Sequence, residues 1–205
     1  MGSSYTTNLG IEEIATGEQS GTWGTTTNFN FDIFDRIAAY KAVALSGTTH
    51  GLTVREASPG SATENLQDGM YRVIKFTGAL GANNTVTIAP NTTQVYFMVV
   101  NATTDSGSSG PYSVILSQGT GANITVPNGY ANLVYCDGAG SGAAVVSVTD
   151  TLTMSGTKIT GGVITGITDL AVADGGTGAS TASAARTNLG AAADGDAVAM
   201  AIALG

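Results

Sequence analysis

YRVIKF (71–76), TVTI (85–88) and QVYFMVV (94–100) are short apolar runs of alternating character, separated by turn-forming residues. Apolar residues at every second position mark a strand that buries one face. Outward from these three, the same kind of segment recurs as LTV (52–54), PYSVIL (111–116), NITV (123–126), YANLVYCD (130–137) and AAVVSVT (143–149). The intervening turn signals are Asp68-Gly69, Gly81-Ala82-Asn83-Asn84, Asp105-Ser106-Gly107, Pro127-Asn128-Gly129 and Asp137-Gly138. Strands at this spacing predict a mainly β fold, an antiparallel β-sandwich or small barrel over residues 47–150. Its expected core is Val73, Ile74, Phe76, Val86, Ile88, Val95, Phe97, Val99, Val114, Leu116, Val126, Leu133, Tyr135 and Val146.

Upstream, residues 1–46 read as an arm followed by a helix. Phe29, Ile33, Ile37, Tyr40 and Val43 recur at spacings of three and four, with Phe31 and Phe34 widening the apolar stripe. Asn28 or Asn30 is the expected cap, Asp32 suits the first turn, and Leu45-Ser46-Gly47 is the expected stop. A helix apolar around so much of its circumference is expected to be buried against another chain. Trp23, set between glycine-rich stretches, reads as a packing anchor for an irregular arm.

Downstream, residues 151–205 change character. Ile159, Val163, Ile164, Ile167 and Leu170 stand singly among Gly, Thr and Asp. They predict a segment that forms a core only when three copies wind about an axis. After Gly175-Gly176-Thr177-Gly178 a short helix is expected, capped by Ser180 or Thr181 and stopped at Gly190. The tail DGDAVAMAIALG reads either as an oligomer-dependent helix or as a frayed end.

Composition bounds the function. Of 205 residues 29 are glycine, and charged residues are only 11%, with a net charge of −8. Seven scattered cations do not supply the positive field of a nucleic-acid binder. The first 30 residues are polar and acidic, so no secretory signal is expected, and no apolar run is long enough to enter a membrane. One His and one Cys leave little for acid/base or nucleophilic work, and no enzyme, cofactor or metal site is expected.

Each candidate has a bland reading that outweighs the chemical one. His50 lacks a second imidazole in its own chain, although three copies of it about an axis would make a metal ring. Cys136 has no basic residue near it in sequence and reads as a small buried hydrophobe. Glu12, Glu13, Asp32, Asp35, Asp150, Asp169 and Asp174 are not flanked by Trp or a Tyr cluster, as the lining of a glycosidase groove would be. The runs at 140–144 and 174–178 lack the lysine or the strand–turn–helix setting of a phosphate loop.

The stretch from Leu170 through DGGTG (174–178) to RTNLG (186–190) resembles the recurrent signature of tail fibres of tailed bacteriophages. The preceding GTKITGGVITGI resembles their shaft sequence, and GEQSGTWGTTTNFNFDIFDRI resembles openings of virion proteins that attach to the tail. YRVIKFTGALGANNTVTIAP with ANLVYCDG resembles a small β-domain of such proteins. The resemblance implies a homotrimeric virion structural protein located in the tail. In that role Trp23, Phe29, Ile33, Ile37 and Tyr40 would attach or pack, and the residues from Ile159 to Leu170 would form the trimer core. The implied partners are other tail or virion proteins, with host-surface glycan read by a distal partner. Little sequence follows the signature, which favours attachment or spacing over receptor binding. The alternatives are a capsid decoration or cement protein, and a carbohydrate-binding module presenting Tyr112 and Tyr130.

Overall fold

In the chain's computed structural model, the described residues are 2–107, 109–151, 176–191 and 194–205. They fall into two compact units, Met1–Thr153 and Met154–Gly205.

The first unit begins with a two-stranded antiparallel clip, β1 (Ser4–Tyr5) and β2 (Glu12–Glu13), then helix α1 (Trp23–Ala38). α1 starts earlier and stops sooner than the periodicity predicts. Thr22 precedes it without a side-chain cap, and Asn30 is no cap. The Asn30 amide instead holds the β2 backbone, accepting from Glu12 N at 3.1 Å and donating to Glu12 O at 3.0 Å. Ala39 turns the backbone extended (φ −108°, ψ 177°), and Tyr40–Ala44 continues as strand β3. Tyr40 therefore belongs to a sheet and not to the helix, because the Tyr-Lys-Ala-Val-Ala run fits a period of two as well as its spacing fits a helix.

The remaining strands are β4 (Thr49–Thr53), β5 (Val73–Thr77), β6 (Ala79–Leu80), β7 (Asn84–Ala89), β8 (Val95–Asn101), β9 (Thr104–Asp105), β10 (Val114–Ser117), β11 (Ile124–Val126), β12 (Ala131–Cys136) and β13 (Val145–Ser147). They form a five-stranded sheet, β13-β12-β8-β5-β3, a four-stranded sheet, β11-β10-β7-β4, and a small β6-β9 pair. Both larger sheets are mixed, which corrects the antiparallel expectation. The pairs β3-β5, β5-β8, β4-β7, β7-β10 and β6-β9 are parallel, and only the last strands turn back. The chain alternates between the sheets, and each return adds a strand beside the previous one. Parallel neighbours can thus be joined by short turns, since each connection crosses to the other sheet.

One core fills the space between the sheets, with Val43, Leu52, Ile74, Phe76, Val86, Ile88, Phe97, Val99, Val114, Leu116 and Val134 in it. Each such side chain removed from water contributes about 1.5–3 kcal/mol. Close winding leaves no room at one corner: Gly78 has φ +104°, and a Cβ there would stand 2.3 Å from the Leu45 carbonyl oxygen.

Buried amides tie successive turns together. Asn84 donates to Ser46 O and Gly47 O, at 3.2 and 3.1 Å. Asn101 donates to Tyr112 O and Val126 O at 3.2 and 2.9 Å, and accepts from Thr103 N and Oγ1. Gln118 donates to Thr93 O at 2.6 Å and accepts from Gly138 N at 3.1 Å. These bonds answer carbonyls and N–H groups that the turns leave outside the ladders.

In the second unit, α2 (Ala182–Leu189) is closed at both ends by its own sequence. Thr181 Oγ1 accepts from Ala184 N at 3.2 Å, and Gly190 takes the left-handed conformation at φ 63°. The Asn188 amide donates to Thr177 O and Gly178 O, at 2.9 and 3.1 Å. The physical content of residues 176–190 is therefore a Thr177-Gly178 turn clamped to a doubly capped helix. α3 (Asp194–Ala203) follows. No residue of α2 is buried, and Val198, Met200, Ile202 and Leu204 are 59–84% exposed.

Candidate functional site

A sheet that alternates faces has to put something on the side turned from the core. In the five-stranded sheet that side is apolar. Register sets Tyr40 beside Val73, Val73 beside Met98, and Met98 beside Leu133. A second row pairs Tyr96 with Tyr135. Tyr40, Tyr96, Met98, Leu133 and Tyr135 are all between 38% and 56% exposed. Arg72 lies over the Tyr96 ring, 5.4 Å from its centre, and donates to Met70 O at 2.8 Å. Two clefts run along β8 and β12. One of about 400 Å³ is lined by Gln94, Val95, Tyr96, Tyr135, Cys136 and Asp137; one of about 230 Å³ by Met98, Ala131, Asn132, Leu133 and Thr149. Exposed apolar faces of this kind mark association sites, and Tyr, Met and Arg are the residues that carry them.

The second apolar face is on α1. Ile33 is buried, and Phe29 and Ile37 are half-buried on the same side. Trp23, Phe31 and Phe34 are 62%, 61% and 53% exposed. At about 100° per residue they share an arc of roughly 80°. Trp23 is therefore the first residue of an unpartnered helix stripe and no anchor buried in its own chain. Tyr40, expected to continue that helix stripe, stands on the sheet face instead. The helix is held from its other side. Arg36 donates to Gln67 O at 3.2 Å and sits 3.8 Å from Asp68, while Lys41 reaches the same carboxylate at 3.2 Å. Arg36 and Lys41 both face the Tyr71 ring.

The remaining predicted residues take quieter places. Ile159, Val163, Ile164, Ile167 and Leu170 lie outside the described residues, as do Asp169 and Asp174. His50 is half-buried on β4, and among the described residues no three His, Cys, Asp or Glu side chains gather as metal ligands would. Burial, with the neighbouring Asp137 charge, pushes the Cys136 thiol up to about 12, so it packs as an apolar group and is no nucleophile at neutral pH. Tyr130 is exposed, whereas Tyr112 packs against the core.

Glu12 is the one buried carboxylate among the described residues. Burial raises its pKa, but bonds from Ser61 Oγ (2.6 Å), Ala62 N (2.9 Å), Ser3 and the Gln19 amide outweigh it and hold it below the usual carboxylate range. Gln19 and Ala62 both have positive φ, 56° and 54°, which these bonds stabilise. With every bond directed to the arm, the helix and the 60–63 loop, Glu12 works as a structural clip. No helix among the described residues is long and apolar enough to cross a membrane. No protein-family model, curated protein or solved structure matches the chain.

Proposed function

We propose that the chain is a virion structural protein of a tailed phage: a homotrimeric tail fibre, or the adaptor portion of one, that joins a host-recognition element to the tail. One observation carries the structural role. Both units display large apolar side chains that a single copy leaves in water: Trp23, Phe31 and Phe34 on α1, the Tyr40–Leu133 face, and Val198, Met200, Ile202 and Leu204 on α3. A chain with 11% charged residues has little else to keep such surfaces apart, so their natural state is burial between copies. The kind of assembly comes from the resemblance of the DGGTG…RTNLG run; within it, Asn188 clamps the Thr177-Gly178 turn and α2 is capped at both ends. The chemistry is recognition and mechanical connection, with no reacting group. In phage particles that carry the chain, gold-labelled antibody against it should decorate the tail. Label on the capsid would instead make it a decoration protein, and unlabelled particles would end the virion reading.

A further inference from the structure

The two apolar faces of the first unit differ in shape and in charge, and the difference says what each one fits. The sheet face is wide. The row Tyr40–Val73–Met98–Leu133 spans four strands, about 14 Å at the usual strand spacing. The α1 stripe is a ridge of similar length, since Trp23 and Phe34 are eleven residues apart, roughly 16 Å along a helix axis.

Charge separates them further. In a chain of net charge −8, none of the outward residues of the five strands is a carboxylate. The cations there are Lys75, outward on β5, and Arg72 against Tyr96. The α1 ridge has the opposite sign: Asp35 and then Asp32 follow Phe31 around the helix, both exposed and neither in an ion pair among the described residues.

We infer that α1 of one copy docks, through Trp23, Phe31 and Phe34, onto the Tyr40–Met98–Leu133 face of the next copy, with Asp35 turned toward Lys75. This rests on the multi-chain reading above and names the contact that builds it. Pairing like with like is disfavoured: two helices would oppose Asp32 and Asp35 to their own kind, and two sheets would set Lys75 and Arg72 against strands that carry no outward carboxylate, Asp137 lying past the end of β12 with its Oδ1 taken by Ala139 N and Ala144 N. Helix on sheet is also a head-to-tail contact, the type that closes a ring of three, whereas a self-matching contact stops at two copies.

Cysteine cross-linking of the full chain tests this without depending on whatever else holds the copies together. Phe34 and Met98 are both about half exposed, so either tolerates a thiol, and Cys136 is buried out of reach. Under a mild oxidant the double variant Phe34→Cys/Met98→Cys should cross-link to a species of three times the chain mass on a denaturing gel. Phe34→Cys alone and Met98→Cys alone should remain single chains. Cross-linking of either single variant would overturn the inference in favour of helix–helix or sheet–sheet contact. An uncross-linked double variant whose native mass is still that of a trimer would overturn it while leaving the trimer standing. A native mass of one chain would remove both.

Discussion

The described residues of the two units use their apolar side chains in opposite ways. Between the sheets of the first unit, Phe76, Phe97, Ile74 and Val134 are wholly buried, and the turns around them are stitched by Asn84, Asn101 and Gln118. In the second unit α2 is capped at both ends yet buries no side chain, and Val198, Met200 and Ile202 of α3 are exposed. Good caps define a helix; they do not give it a core. The first unit has a core of its own, whereas the described residues of the second show the local signals of a helix; on the proposed reading, neighbouring copies supply the rest. The outer sheet face and the α1 stripe leave large apolar side chains of the first unit exposed as well.

The comparison breaks most sharply at the core. Phe76→Ala should cost the first unit about 3–5 kcal/mol in denaturant unfolding, and Cys136 should become open to alkylation at correspondingly lower denaturant. Ile202→Ala on α3 should leave that transition within about 0.5 kcal/mol of the parent, because the side chain is already 76% exposed in a single copy. Its effect should be read in the assembly's resistance to dilution. Equal effects of the two substitutions on unfolding would erase the distinction between the units.

Gly78→Ala comes next. A Cβ at φ +104°, driven against the Leu45 carbonyl, should cost roughly 2–4 kcal/mol. A neutral result would mean that successive turns are not wound as tightly as described. Thr181→Ala should be smaller, about 1 kcal/mol, and confined to α2. It should lower helical circular dichroism without moving the first unit's midpoint.

The smallest effect is on the acid side. Glu12 has a lower pKa folded than unfolded, so its contribution is fully present above the ordinary glutamate range and is lost as pH falls through the folded value. Stability of the arm should therefore rise with pH across that acidic window and be flat above it, read by amide exchange of residues 3–19. Glu12→Gln should remove the slope. A slope unchanged in the variant would assign it to other carboxylates.

Much of this fold is legible in the sequence, and the misreadings have physical causes. Ile74, Phe76, Val86, Ile88, Val95, Phe97, Val99, Val114, Leu116 and Val126 are buried as the alternation predicts. In β12 and β13 the parity is off by one: Val134, Cys136 and Val145 point inward, while Leu133 and Tyr135 are exposed and Val146 is half-buried. Val73 is also half-buried and not in the core. Alternation identifies an inner face only when the outer face is polar, and here Leu133, Tyr135, Tyr96 and Met98 make the outer face apolar too. The ambiguity of ANLVYC and QVYFMVV is thus itself the trace of a second, exposed apolar face. Parallel pairing left no such trace, since a turn signal does not say which sheet the next strand will join. The breadth of the α1 stripe was legible, and Trp23, Phe31 and Phe34 stand exposed in a single chain. Which of its residues stay unpartnered depended on where the chain packs Ile33 and Arg36.

The mass of the intact chain in solution, measured by light scattering behind size exclusion at two concentrations, tests the central claim most directly. Apolar faces covered by neighbouring copies predict a stable mass near three times 20.4 kDa at both concentrations. A single-chain mass at both, with helical signal from the second unit retained, would contradict it.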